Sequence, residues 1–295
     1  LGLEGSGQVW IGVEAGQLSA ATVEFDVPGL TISGKRREQA RQTESEQLGL
    51  TNLKGMARLS HNSEESVWEL ALANMSVTYR SDSWQSFNAH VLFTPDQLVE
   101  IAADYLDLGL LARLAGDSGV LPYDAAIDLK GLNPDGYLQN VSLSLPVSEA
   151  AGRPLTLKTN IADLQLGSVR NSPNLWGMDG FVELEFDPSF QHLTGVAEVN
   201  SSDFSMNIPS TFTRVWDYSR VNGRLHIDVS MANGQVVKLA SDRIVAESDA
   251  VNGSVRFTSV TERFADGSRD ARLDLMVGAN RIEGSQKSLY LPDGP

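Results

Sequence analysis

Apolar and polar residues alternate along most of this 295-residue chain. Val141, Leu143 and Leu145 stand between serines, Val182, Leu184 and Phe186 between acids, and Leu225, Ile227 and Val229 opposite Arg224, His226 and Asp228. Trp68, Leu70 and Leu72 repeat the pattern near the start, and Leu273, Leu275 and Val277 near the end. Successive side chains of a strand point to opposite faces, so each segment predicts a strand with one apolar and one wet face. Between them, Asn233-Gly234, Asn252-Gly253 and Asp266-Gly267 carry the positive φ that two-residue hairpin turns require. Together these signals predict a mainly β chain running as a long antiparallel meander.

One unit recurs within this pattern. Leu53-Lys54-Gly55-Met56-Ala57-Arg58-Leu59, Met178-Asp179-Gly180-Phe181-Val182-Glu183-Leu184 and Val221-Asn222-Gly223-Arg224-Leu225-His226-Ile227 each place an apolar residue, a polar residue and a glycine before an alternating strand. The last two glycines are about 40 residues apart, a period expected of stacked β units rather than of one closed enzyme core.

Three segments depart from alternation. Thr94-Pro95-Asp96-Gln97 resembles a helix start, yet Val99, Ile101, Ala103 and Tyr105 still alternate. The compromise is a strand over 97–106, then a short helix over 108–115 closed by Gly116. Pro209 to Trp216 is expected to hold a further helical turn. The charged, Gln-rich stretch from Gly34 to Gln47 has no period and reads as a long loop. The whole chain reads as a single β-repeat region, with possible divisions at 1–50, 51–175 and 176–295.

Composition narrows the function. A net charge of −15, with 23 Lys and Arg against 38 acids, opposes nucleic-acid binding, which needs a basic stripe to neutralise phosphates. The basic run Lys35-Arg36-Arg37 with Arg41 lies among Glu38, Glu44 and Glu46 and reads as a solvated loop. With no cysteine there is no disulfide framework, thiolate nucleophile or Cys-containing zinc site. No apolar run approaches the ~18 residues of a membrane-spanning helix. Leu1-Gly2-Leu3-Glu4-Gly5 is no signal peptide, and the chain opens inside a Gly-led strand. It is therefore expected to be a piece of a longer protein, with targeting and anchoring elements outside it.

No catalytic or metal-binding pattern emerges. His61 and His192 fall in turn-like contexts, His90 and His226 on polar strand faces, and none has a motif for nucleophilic catalysis. HExxH, paired histidines at helical spacing and an EF-hand loop are all missing. Glu183, Glu185, Glu198 and Asp228 read as the wet face of a sheet, although a carboxylate pair for glycoside hydrolysis would converge only in three dimensions. Gly5-Ser6-Gly7 lacks the strand-to-helix context of a nucleotide loop and reads as a strand kink. The sequons at Asn74, Asn140, Asn200 and Asn252 matter only in a eukaryotic secretory setting. Trp10, Trp68, Trp84, Trp176 and Trp216 are expected to pack rather than form a sugar platform. No cofactor is expected.

The Gly-led units, the step Leu106-Asp107-Leu108-Gly109-Leu110-Leu111, the segment Leu132-Asn133-Pro134-Asp135-Gly136-Tyr137-Leu138-Gln139-Asn140-Val141, and the run Ile161-Ala162-Asp163-Leu164 leading to Trp176-Gly177-Met178-Asp179-Gly180 resemble the periplasmic region of the AsmA-like YhdP family. The ordered set covers essentially the whole chain. The resemblance implies a segment of a protein anchored in the Gram-negative inner membrane, which conducts phospholipids towards the outer membrane along a greasy β groove and supports the permeability barrier. It implies no catalytic residue. Its expected partners are phospholipid acyl chains, with both membranes reached through parts outside this chain.

On that basis the expected fold is a long curved antiparallel sheet forming an open half-pipe or groove, with one or two short helices. Alternation alone describes a β-sandwich equally well, which would make the chain a non-catalytic binding module for carbohydrate or protein. The expected groove lining is Val141, Leu143, Leu145, Val182, Leu184, Phe186, Leu225, Ile227 and Val229.

Overall fold

A computed structural model describes residues 2–14, 16–33, 47–63, 65–95, 98–118, 121, 123–147, 152–169, 172–189, 191–209, 214–231, 235–264 and 268–285. The chain divides into two compact units, Leu1–Val141 and Ser142–Pro295.

In the first unit, β1 (Gly2–Glu14), β2 (Gln17–Ser33), β3 (Gln47–Asn62), β4 (Val67–Tyr79), β5 (Asp82–Phe93) and β6 (Leu98–Asp107) form one antiparallel ladder, each strand paired with the next. Two helices follow, α1 (Leu108–Asp117) and α2 (Tyr123–Leu132), and then β7 (Asp135–Pro146), which carries the chain into the second unit. Alternation wins over the Pro95 helix signal, as expected, because Ile101, Ala103 and Tyr105 pack on one face of β6. Asp107 caps α1, its carboxylate accepting the Leu110 N–H at 2.7 Å. Gly116 does not close the helix: α1 runs on to Asp117, and Ser118 caps it by donating its N–H to the Leu114 carbonyl.

In the second unit, β8 (Leu155–Leu166) pairs with β9 (Asn174–Phe186). Strand β9 meets β10 (His192–Ser201) along its second half and β11 (Phe204–Asn207) along its first. Next come β13 (Arg220–Ser230) on β10 and the short β12 (Trp216–Tyr218) on β11. Strand β13 then pairs with β14 (Gln235–Ser241) and β15 (Ile244–Glu247), both of which pair with β16 (Val251–Arg263), and β16 pairs with β17 (Arg269–Ile282). All pairings are antiparallel. The described strands of each unit form one continuous ladder rather than two facing sheets.

The turn signals fare unevenly. Asn233-Gly234 and Asp266-Gly267 lie outside the described residues, though Ser230 pairs with Val236 and Arg263 with Arg269 on either side of them. Asn252-Gly253 is not a turn. It lies within β16 at a register shift, and the reversal comes earlier, where the Ser248 N–H donates to the Val251 carbonyl and the Asn252 side chain also accepts from Ser248 N–H. Most of the loop expected over Gly34 to Gln47 lies outside the described residues, as do residues 210–213 of the helical turn expected near Pro209; Trp216 itself opens β12.

The recurring glycines stand where the ladders are irregular. A Cβ at Gly180 would run into the Glu198 carbonyl oxygen, and one at Gly223 would lie 2.9 Å from Ile244 Cα, opposite the break between β14 and β15. Bulges cross both ladders at these levels. Asn74 and Asp163 have positive φ, which short amide and acid side chains tolerate best after glycine. A bulge frees an N–H from the ladder, and the next strand supplies an acceptor. Asn74 N–H donates to Asn88 Oδ1 at 3.0 Å, Asn88 N–H to Asp104 Oδ1 at 2.8 Å, Asp163 N–H to Asp179 Oδ1 at 2.9 Å, and Asp179 N–H to Ser201 Oγ at 2.8 Å. Such bulges bend the strand and increase its twist. Ser201 is 2% exposed. Its replacement by alanine should leave the Asp179 N–H without an acceptor and cost about 1–3 kcal/mol in denaturant unfolding.

Candidate functional site

Residues paired across a ladder share a face, so register converts the one-dimensional pattern into a surface. In the second unit one row runs Leu157, Leu184, Gly195, Ile227, Leu239, Ser259, Leu273 across successive strands. A parallel row runs Leu155, Phe186, Leu193, Val229, Val237, Thr261, Ala271, and another runs Thr159, Val182, Ala197, Leu225, Ser241. Six of the nine residues predicted to line a groove, those on β9 and β13, therefore lie together on one apolar face. They are half-buried. Val141, Leu143 and Leu145 alternate along one side of β7, with Val141 buried and the other two half-buried.

The opposite face is wet. Lys158 bridges Glu183 at 2.8 Å, Arg224 bridges Glu198, and His192 and His226 approach Asp228 and Asp242 at 3.3 and 3.5 Å. These exposed cross-strand pairs contribute little each, but they keep that face in water. His192 opens β10, His90 sits beside Glu69, and His61 lies inside β3 with its ring 4.6 Å from that of Trp68, a strand position rather than a turn. The tryptophans are dispersed: Trp84 is buried, while Trp10 and Trp68 are exposed.

The first unit carries an apolar face of the same construction. One row is Ile11, Ala21, Leu59, Leu70, Val91, Ile101, and a second is Val9, Val23, Ala57, Leu72, Ala89, Ala103. Beyond the bulge of β4 this face continues through Met75 and Phe87, which pair, to Val77 and Trp84, which also pair. There α1 covers it. Leu110, 1% exposed, packs with Val77, Tyr79 and Trp84, and Leu48, Leu50, Leu53, Phe87, Tyr105, Leu106, Leu111 and Leu114 surround them. Tyr105 lies beside Tyr137, and burial first, then that neighbour, push its phenol up to about 12.

The far end of α1 is tied down by Asp117. Its carboxylate accepts from the Tyr79 hydroxyl at 2.8 Å and pairs with Arg80 at 2.8 Å and Lys130 of α2 at 3.1 Å. Burial alone would raise its pKa, but the Tyr79 and Lys130 hydrogen bonds and the Arg80 charge outweigh it and hold the carboxyl below its ordinary value. Asp117→Asn should therefore cost about 1–2 kcal/mol at neutral pH. In the wild type this contribution is complete above the ordinary value of 3.8 and fades as pH falls through the lower folded value. The difference between the two proteins in urea melts should stay constant from pH 7 down to the ordinary value of 3.8 and shrink as pH falls below it.

The sequence places α1 and implies that some apolar-face residues pack against it, but it does not show that these are Val77, Tyr79 and Trp84, and it gives no expectation of α2. Leu110, Leu111 and Leu114 have helical spacing and mark the covering side of α1. For α2 the signals were Pro122 before it and Ala125-Ala126 inside it.

Among the described residues no group of three or more His, Cys, Asp or Glu could hold a metal ion. A family model described as YhdP protein matches residues 2–294. The chain belongs to the YhdP family. YhdP proteins are AsmA-like, non-catalytic lipid-transport proteins of the periplasm, anchored in the inner membrane and active in outer-membrane biogenesis. No curated protein and no solved structure matches the chain. Among the described residues no helix is long and apolar enough to cross a membrane. For a YhdP protein the feature to explain is thus a broad apolar face.

Proposed function

We propose that the apolar face of each ladder is the surface along which phospholipid acyl chains pass on their way to the outer membrane. In the second unit Val182, Leu184, Phe186, Leu225, Ile227 and Val229 are the contacts, and Val141, Leu143 and Leu145 of β7 have the same role. The observation that carries this reading is the contiguity of the rows from β8 to β17 on one half-exposed face, with the charges on the other.

The physical advantage is large. Two acyl chains hold roughly 30 methylenes, and exposing them to water costs on the order of 20 kcal/mol. A continuous apolar strip replaces that water along the way while the charged headgroup stays in solvent. It needs no specific polar ligand, and at Gly195, between Leu184 and Ile227, the Leu184 side chain itself fills the row. Shape and greasiness suffice.

A photo-crosslinking side chain at Leu184 or Ile227 is expected to capture phospholipid in cells, whereas one at His226, on the opposite face of β13, captures none. Absence of lipid at every position of the apolar rows would sink the proposal.

A further inference from the structure

In the first unit the same apolar face is open at one end and roofed at the other. On β5, Phe87 and Phe93 have the same parity and lie on one side of the strand, paired with Met75 and Trp68. Phe93 is 41% exposed, whereas Phe87 packs into the cluster beneath α1. The helix therefore occupies surface continuous with the proposed acyl path.

The contact beneath the helix is incomplete. Trp84 is 8% exposed, and its indole N–H has no hydrogen-bond partner. A buried donor without an acceptor is a standing cost of the covered state, recovered when the helix lifts and an acceptor arrives. Among the described residues the polar ties of α1 to its surroundings are the Asp117 cluster at its end and Arg113, whose Nε lies 3.1 Å from Asp82 without the alignment of a hydrogen bond.

We infer that the surface of Val77, Trp84, Phe87 and Tyr105 is a second acyl-chain site, covered by α1 as a displaceable plug and opened when the Asp117 cluster lets go. The occupant is a phospholipid acyl chain, whose glycerol ester carbonyl accepts from the Trp84 N–H. This rests on the acyl-path reading above. It adds a place where the path in this unit is shut or open, with the helix and the chain competing for one apolar surface.

The chain has no cysteine, so Asp82→Cys with Arg113→Cys introduces the only thiols. Both native side chains are partly exposed, and a bis(methanethiosulfonate), which forms a disulfide with each cysteine and releases methanesulfinate, tethers α1 to β5, while reduction of those disulfides frees the helix within one protein. A benzophenone side chain replaces Phe87 or Phe93, and the protein is irradiated with vesicles of phosphatidylethanolamine and phosphatidylglycerol. Capture at Phe93 is expected with the tether closed or cleaved. Capture at Phe87 is expected only after cleavage, with a loss of roughly tenfold or more when closed. Equal capture at Phe87 in both states overturns the plug, and so does capture at Phe93 alone in both states. No capture at either position overturns the lipid reading and the acyl occupant with it. Amide exchange of α1 then decides separately whether the helix opens: it must slow when tethered, and unchanged exchange refutes the opening. Tyr105 is the alternative probe position if the Phe87 variant loses cooperative unfolding.

Discussion

Gly180→Val is expected to unfold the second unit under mild conditions. The added Cβ has nowhere to go, because the Glu198 carbonyl occupies its position and Val199 Cα stands 3.3 Å away. Backbone atoms cannot rotate aside as a flexible side chain can. Relief requires β9 and β10 to part, breaking the pairing of Gly180 with Val199 and the support of the nearby Asp179 bulge. A loss of about 3 kcal/mol or more follows, the upper end of overpacking effects. In thermal unfolding that corresponds to a fall of about 6–12 °C for a unit of this size. Gly29→Ala provides the contrast, since nothing lies within 4 Å of a Cβ there. It should change stability by less than about 1 kcal/mol. If the two variants melt alike, the close approach at Gly180 is not what that glycine is for.

The same comparison shows why the fold was legible and its finer points were not. Period-two alternation survives in sequence because each strand has one wet face, so β4, β7, β9, β13 and β17 could be named before any coordinate. The Gly-led unit was legible as repetition. Its cause was not, because the atoms that forbid a side chain at Gly180 and Gly223 belong to Glu198 and Ile244 on other strands. Asn252-Gly253 misled for a related reason. Asn and Gly serve bulges as well as turns, and in β16 the pair meets a register shift while Ser248 to Val251 reverses the chain.

The candidate surface was half legible. Alternation shows which residues of a strand share a side but not which sides of different strands coincide. Register alone shows that Leu184 is level with Ile227 and that Glu198 lies beside Arg224. The position of α1 was harder still. Asp107 and the leucines announce a helix, yet only the partners of Leu110, namely Val77, Tyr79 and Trp84, show that it lies on the apolar face rather than beside it. A sequence with one greasy side per strand was compatible with a sandwich because the pattern does not say what covers the greasy side. Here a ten-residue helix covers part of it in the first unit.

That difference between covered and open surface separates two outcomes for one kind of substitution. Ile227→Asp places a carboxylate in the middle of the open rows of the second unit, between Gly195 and Leu239. The site is half-buried, so the carboxylate remains hydrated, and the fold should lose no more than about 2 kcal/mol. A passing acyl chain fares differently. It must strip water from the charge or leave the surface, and each additional 1.4 kcal/mol of barrier slows transfer about tenfold. Transport measured with labelled phospholipid should fall by about tenfold or more while cooperative unfolding persists. His226→Glu, one residue away on the opposite face, should leave transport unchanged, since His226 is exposed beside Asp242 and its side chain points away from the apolar rows. Leu110→Asp, with its side chain 1% exposed against Val77, Tyr79 and Trp84, cannot keep that contact and should instead release α1 and destabilise the first unit, read as faster amide exchange of the helix and a lower melting temperature while β1–β6 still unfold cooperatively. Collapse of the fold in Ile227→Asp would make that position core and remove it from the acyl path. Normal transport through a folded Ile227→Asp protein would show that lipid does not travel on this face.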